Sequence, residues 1–294
     1  MVLMDIIKRY KFSYKNYVKV IYKVRKQMIT GNESKIKVIL RDGTIKNMNL
    51  NEVLDYAAEN YYKNYLKIMT TTDGVDTIKY KDKSIKFYGG DTNGDIMEVF
   101  FAEDYKFLNP DGSIVIDIGA NIGDSAIYFA LNGAEKVIAL EPFPYSYNFA
   151  LINIKENNLD DKIELSNVGY GKDEEIILDD KSSAIGSKLE SAENGRNIPI
   201  YSLKTLINTY NLNGRSNLLL KMDCEGCEYN LLNEDKDTLK HFKRIQIEYH
   251  YGYKKLTDYL FKSGFYVTHS KPTQRNSHGS EPKMCMGYIY AKKL

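Results

Sequence analysis

The chain has 294 residues, 43% of them hydrophobic, which is material for one large globular domain or for a domain of about 180 residues with a smaller extension. Its 41 basic and 39 acidic side chains nearly cancel, so a protein built as a whole to wrap a polyanion is excluded and any basic surface must be local. No run of about 18 apolar residues occurs, and three cysteines with no charged, apolar and small leader read as a reduced, cytoplasmic protein that spans no bilayer.

In the first 28 residues, Ile7, Tyr10, Tyr14, Tyr17, Ile21, Val24 and Met28 recur at spacings of three and four, which predicts one helical stripe docked on the protein's own body. Eight basic side chains against Asp5 alone give this segment a charge of +7 and leave the remainder at −5. Its lysine face suits solvent first, and peripheral contact with a membrane surface or with a partner, a second copy of the chain included, second. Asp42-Gly43, between two alternating apolar segments, predicts a two-residue hairpin turn. Asn51 is the expected cap of the amphipathic helix that follows. A strand-rich piece, "DTIKYKDKSIKFYGG", then leads to a change of pattern, and the boundary is placed so that residues 1–100 form a helix and hairpin extension of α+β type.

From residue 101 to 294 apolar strands alternate with helices. "SIVIDIGA", "KVIALEP", "KIELSNVG", "NLLLKMD" and "RIQIEYH" read as strands, and "DSAIYFALNG", "PYSYNFALINIKENN", "SLKTLINTY" and "YKKLTDYLFKSG" as helices. The pattern predicts an α/β, doubly wound and mostly parallel Rossmann-like sheet of seven strands, with "FYVTHS" and "MGYIYAKK" as an antiparallel edge hairpin. Ligands of such sheets sit at the carboxyl ends of the strands.

In "DIGANIGD" the first of these strands ends at Asp117-Ile118, and Gly119 and Gly123 permit a tight turn before a helix near Asp124. Two glycines separated by three residues are not the GxGxxG of a dinucleotide site. Glu141, at the end of the second strand, can accept hydrogen bonds from both hydroxyls of a ribose. Asp117 suits a cationic amino-acid portion better than a phosphate. Adenosine joined to an amino acid through a sulfonium meets both conditions.

These residues, with "LLLKMDCEGCE" and "IQIEYH", resemble the FkbM-like branch of class I S-adenosylmethionine-dependent methyltransferases over about residues 95–294. The resemblance implies that Asp117, Gly119, Asn121 and Gly123 hold the methionine portion, that Glu141 holds the ribose, and that Asn167 and Val168 flank the adenine. Many relatives carry an Asp at the last of these places, and this chain does not. The resemblance also puts Asp223 and Glu225 against the transferable methyl, the alternative being that Glu225 or Glu228 caps a helix. Alternation along "IQIEYH" sends Glu248 and His250 to one face of the fifth strand, near Asp223 and Glu225.

Asp223, Glu225 and His250 are therefore the candidate catalytic groups, any of which can take a proton from a hydroxyl acceptor. The same cluster with Glu248 offers oxygen ligands to Mg²⁺, a reading favoured less than a protein base. Cys224 and Cys227 form a CxxC, but the two further ligands that zinc requires are not at suitable spacing. Glu98, Glu103 and Tyr105 precede the first strand and can close over the cofactor. Acceptor contacts are expected from Glu248 and from the flanking loops through Ser182, Ser183 and His278.

The activity that the resemblance implies is O-methylation of a hydroxyl on a sugar, a glycan or another small natural product. The basic first helix keeps a nucleic-acid methyltransferase as the runner-up, against which "KMDCEG" lacks the Asn/Asp-Pro-Pro-aromatic block of amino-methylating enzymes. A non-catalytic S-adenosylmethionine-binding or scaffold protein is the third reading, and the intact acids argue against it.

Overall fold

In the computed structural model, which describes residues 2–32, 34–89, 95–182, 191–275 and 284–294, the first segment is two helices, α1 (Val2–Ser13) and α2 (Tyr17–Thr30). The single predicted helix breaks because the chain between them is used as a strand edge. Lys15 N donates to Ile39 O, and the Asn16 side chain takes Ile39 N and gives to Lys37 O, both on β1 (Ile36–Ile39). A side-chain amide that satisfies strand groups competes with helix propagation. Six of the seven stripe residues still dock: Tyr10, Tyr14 and Val24 are buried, and Tyr17, Ile21 and Met28 pack against them, whereas Ile7 is exposed.

β1 pairs antiparallel with β2 (Ile45–Met48), but the turn has three residues, 41–43, not two. Leu40 N bonds Thr44 O while Gly43, at a φ of 102°, donates back to Leu40 O, the geometry of a type I turn followed by a glycine bulge. Helix α3 (Leu50–Asn60) is capped by Asn49 rather than Asn51. Asn49 Oδ1 accepts from Glu52 N and Glu52 returns the bond to Asn49 N, a reciprocal capping box. The helix runs into a π-helical turn, Tyr61–Tyr65. An antiparallel sheet follows, β3 (Met69–Thr72), β4 (Val75–Tyr80) and β5 (Lys83–Phe87), then the short α4 (Asp95–Met97).

The expected α/β sheet is present. In chain order its elements are β6 (Ile114–Ile118), α5 (Asp124–Leu131), β7 (Lys136–Leu140), α6 (Pro144–Glu156) and β8 (Ile163–Ser166). There follow β9 (Gly169–Tyr170), β10 (Glu174–Leu178), β11 (Arg196–Tyr201), α7 (Leu203–Thr209) and β12 (Leu218–Met222). The chain ends with α8 (Lys236–Leu239), β13 (Phe242–Tyr249), α9 (Lys254–Lys262), β14 (Phe265–His269), β15 (Thr273–Arg275) and β16 (Met284–Lys293). The strand order is β14-β16-β13-β12-β6-β7-β8, parallel except for β16, which pairs antiparallel with both neighbours. Strand order reverses between β6 and β12, so the switch point lies at their carboxyl ends. A separate small sheet, β10-β11-β9, was not anticipated from the sequence.

Two apolar layers flank the main sheet. One joins α5 and β6 to β3, β4, β5 and the π turn, through Ile78, Phe87, Phe100 and Phe129, so hydrophobic contacts cross the residue-100 boundary. The other lies under α7 and α9. Residues 10–57 close a third cluster of their own around Tyr14, Val38 and Val53. No helix among the described residues is long and apolar enough to cross a membrane.

Candidate active site

The turn after β6 is shaped by backbone that few side chains tolerate. Gly119, Asn121 and Gly123 all have positive φ, at 78°, 47° and 88°. A Cβ on residue 119 would stand 1.8 Å from the carbonyl oxygen of Asp223, so only glycine fits between β6 and β12. Asn121 N donates to Glu141 Oε2 at 2.8 Å and Phe143 N to Oε1 at 2.9 Å, which ties the turn to the end of β7. Burial pushes the Glu141 carboxyl up to about 8 against the opposing effect of those two donors.

A cleft opens above these residues. Glu141, Leu140, Phe143, Val168 and Tyr170 line it together, a carboxyl group among apolar walls. That donor set fits S-adenosylmethionine: an acceptor for ribose hydroxyls, apolar walls for an adenine and a glycine turn for the amino-acid portion. Asn167 does not line the cleft, because its amide holds Glu141 O at 2.8 Å and Pro142 O at 2.9 Å. Phe143 and Tyr170, which sequence spacing did not single out, stand there with Val168.

Asp117 is fully buried beneath the turn and is not among the residues lining the cleft. Its carboxylate pairs with Lys221 Nζ at 3.0 Å and accepts from Ser125 Oγ at 2.7 Å. Lys221, on β12, also donates to Gly119 O at 2.7 Å and lies over the Tyr105 ring. Burial pulls its pKa down, but Asp117 and Asp223 outweigh that and raise it. The expected contact of Asp117 with a cationic ligand is thus taken by an internal cation, a partner that local spacing could not reveal.

Past β12, Glu225 at a φ of 54° and Gly226 at 118° make a sharp turn. Cys224 and Cys227 close a disulfide across it, their Cα atoms 5.4 Å apart, within bridging range. The reduced state expected for these two cysteines is therefore corrected. Glu228 is fully buried and anchors the turn, accepting from Gly226 N at 2.8 Å and His250 N at 2.9 Å, with His250 Nδ1 at 3.0 Å. Burial lowers the His250 pKa, but Glu228, Glu248 and Asp223 outweigh it and push it up to about 10. The ring is a cation at neutral pH, with Nε2 3.5 Å from Glu225 and 3.9 Å from Asp223. In its charged form the ring attracts both carboxylates.

An adjoining chamber shares Asp95, Glu98, Asp223 and Glu248 with the cleft. Tyr105 donates to Asp223 Oδ2 at 2.9 Å, and Tyr288 to Asp104 Oδ2 at the same distance. Asp95, which accepts from Asn121 Nδ2, is driven well above the usual carboxyl range by burial and by Asp124, Glu98, Asp223 and Glu248. Among the described residues, no three His, Cys, Asp or Glu side chains are disposed to share a metal ion.

The structure thus brings Asp223, Glu225, Glu248 and His250 together on the cleft with Gly119, Asn121, Glu141 and Val168. Gly123 caps α5 beside Ala150. Ser182 is not among the residues lining the cleft, and its Oγ donates to Asp179 O. Ser183 and His278 lie outside the described residues. Glu98 lines the cleft, whereas Glu103 pairs with Lys106 on the surface.

The family description "Methyltransferase FkbM domain" matches residues 117–267, just over half of the chain. Over 58 residues the chain is 45% identical to a ribosomal protein L11 methyltransferase of Carboxydothermus hydrogenoformans, covering 20% of this chain and 19% of that protein. Over 63 residues it is 36% identical to a tRNA(Phe) (4-demethylwyosine(37)-C(7)) aminocarboxypropyltransferase of Pyrococcus horikoshii, covering 21% and 22%. The chain spans about a fifth of the length of these curated relatives. Among solved structures, a precorrin-6y C5,15-methyltransferase of Geobacter metallireducens aligns over 65% of this chain and 87% of its own, with 17% identity and a TM-score of 0.36.

Proposed function

The chain belongs to the FkbM methyltransferase domain family, and on that premise we propose that it moves a methyl group from S-adenosylmethionine to a hydroxyl of a sugar, a glycan or a similar polyhydroxylated natural product. The observation that carries the reading is the acid-lined chamber beside the cleft, where Asp95, Glu98, Asp223 and Glu248 converge. Such a lining, which also holds Lys221, offers hydrogen-bonding partners to a ring of hydroxyls. The cofactor supplies an electrophilic methyl on a sulfonium; the protein holds the acceptor oxygen in line with it and excludes water. Asp223 or Glu225 takes the hydroxyl proton as the new carbon–oxygen bond forms and the carbon–sulfur bond breaks, leaving S-adenosylhomocysteine. The His250 ring, with Nε2 3.5 Å from Glu225 and 3.9 Å from Asp223, helps to position these acids on the cleft.

Calorimetry should detect S-adenosylhomocysteine, and Glu141→Ala should weaken it by roughly tenfold or more. With radiolabelled methyl donor, label should enter a glycan or sugar fraction, and Asp223→Asn should lower kcat by about 10²-fold or more with cofactor affinity kept. Label entering only RNA would move the assignment to the second reading, which the basic α1–α2 segment and the tRNA-acting relative favour. Full cofactor binding without label in any fraction would favour the non-catalytic reading.

A further inference from the structure

Helix α2 carries two apolar faces, and only one belongs to the core. Val20, Val24 and Gln27 are buried with Ile21 and Met28 alongside. On the other side Val18, Tyr22 and Ile29 stand 65%, 67% and 63% exposed. Spacings of four and seven put these three on one line, with Arg25 between Tyr22 and Ile29. Lys19, Lys23 and Lys26 are exposed along the flank of that line. Among the described residues none of the four basic side chains is in an ion pair, and α1 and α2 together have Asp5 as their single acid.

We infer that this face of α2 lies on an anionic lipid surface. Aliphatic and tyrosine side chains exposed in a row gain from burial at the acyl and headgroup boundary, while the flanking lysines and Arg25 reach the headgroup phosphates and carboxylates. Nucleic acid would reward the basic residues but leave Val18 and Ile29 in water. A second copy of the chain would oppose like charges across the contact. The position suits the protein's cleft as well. α2 packs on β15, β15 pairs with the start of β16, and Met286 of that strand lines the cleft.

Flotation of the full chain with vesicles tests this. Phosphatidylcholine vesicles containing roughly 30% phosphatidylserine should carry the protein, pure phosphatidylcholine should not, and raising salt from about 0.1 to 0.5 M should release it. Each basic side chain is worth about fivefold near such a surface. The charge set Lys19→Gln, Lys23→Gln, Arg25→Gln and Lys26→Gln should therefore weaken binding at least about tenfold. The apolar set Val18→Ser, Tyr22→Ser and Ile29→Ser should weaken it comparably, with circular dichroism melting unchanged because every site is exposed. Three outcomes overturn the inference: no flotation of the unaltered protein, flotation indifferent to both sets, or flotation insensitive to salt. Without vesicle binding, a gel shift of a uridine oligonucleotide lost only in the charge set would assign the face to nucleic acid. Self-association in sedimentation lost only in the apolar set would assign it to a second copy. None of these results depends on whether the chain transfers methyl groups.

Discussion

The region up to residue 60 and the sheet from residue 114 bury different chemistry. In the first, Tyr10, Tyr14, Val20, Val38 and Val53 fill the interior and the buried polar side chains are Ser13 and Gln27. In the second, Asp117, Asp124, Glu141, Lys221, Glu228 and His250 are all buried near the carboxyl ends of the strands. A buried charge costs several kcal/mol unless it is paired, and here Asp117 pairs with Lys221 and Glu228 with His250. The difference marks the site more sharply than any single residue does: one region is organised for packing, the other for a fixed electrostatic field.

The largest test of that contrast is Lys221→Met. It leaves Asp117 buried beside Ser125 without its cation, and denaturant unfolding should show a loss of about 3–5 kcal/mol. Adding Asp117→Leu should recover most of it, since the unpaired charge is then gone. Restoration failing in the double variant would make Lys221 a packing residue and erase the contrast.

A smaller effect lies in pH. His250 is raised to about 10 when folded, so its contribution to stability is complete below its unfolded value near 6.5 and is lost as pH rises through about 10. Unfolding free energy should therefore fall across that window. Glu228→Gln should flatten this part of the profile, and a profile identical to that of the unaltered protein would break the assignment of the pair. The smallest expected effect is in the other region. Tyr14→Phe removes the hydroxyl bonded to Val53 O at 2.8 Å and should cost about 1 kcal/mol, with S-adenosylhomocysteine affinity unchanged.

Local pattern carried a large part of the fold. Strands β6, β7, β8, β12 and β13, the glycine turn and Glu141 follow from spacings of two, three and four that neighbouring residues impose on one another. The break between α1 and α2 did not, because Asn16 finds its partners on β1, more than 20 residues away. Nor did β10 and β11, whose short strands are joined across residues 179–195. The cap at Asn49 was readable, since Glu52 three residues later is the mark of a capping box. Within the site, the acids and His250 were visible near strand ends, while the pairings were not: Lys221 lies 104 positions from Asp117 and Glu228 lies 22 from His250. Cross-strand pairing has no periodicity in a single sequence.

The contact between Gly119 and the Asp223 carbonyl bears on how the cleft can be redesigned. Asp223 N also bonds Ile118 O at 3.1 Å, so the backbone at residue 223 is set at one height above the glycine turn. A loop grafted in place of residues 224–228 can change length, side chains and charge only beyond that peptide. Raising the peptide by the width of one methyl group would make room for alanine at 119 but open a gap where the two strands meet. Libraries that leave Gly119 and the Asp223 backbone fixed, and vary the cleft wall around them, are the ones in which altered ligand preference can be separated from collapse of the glycine turn.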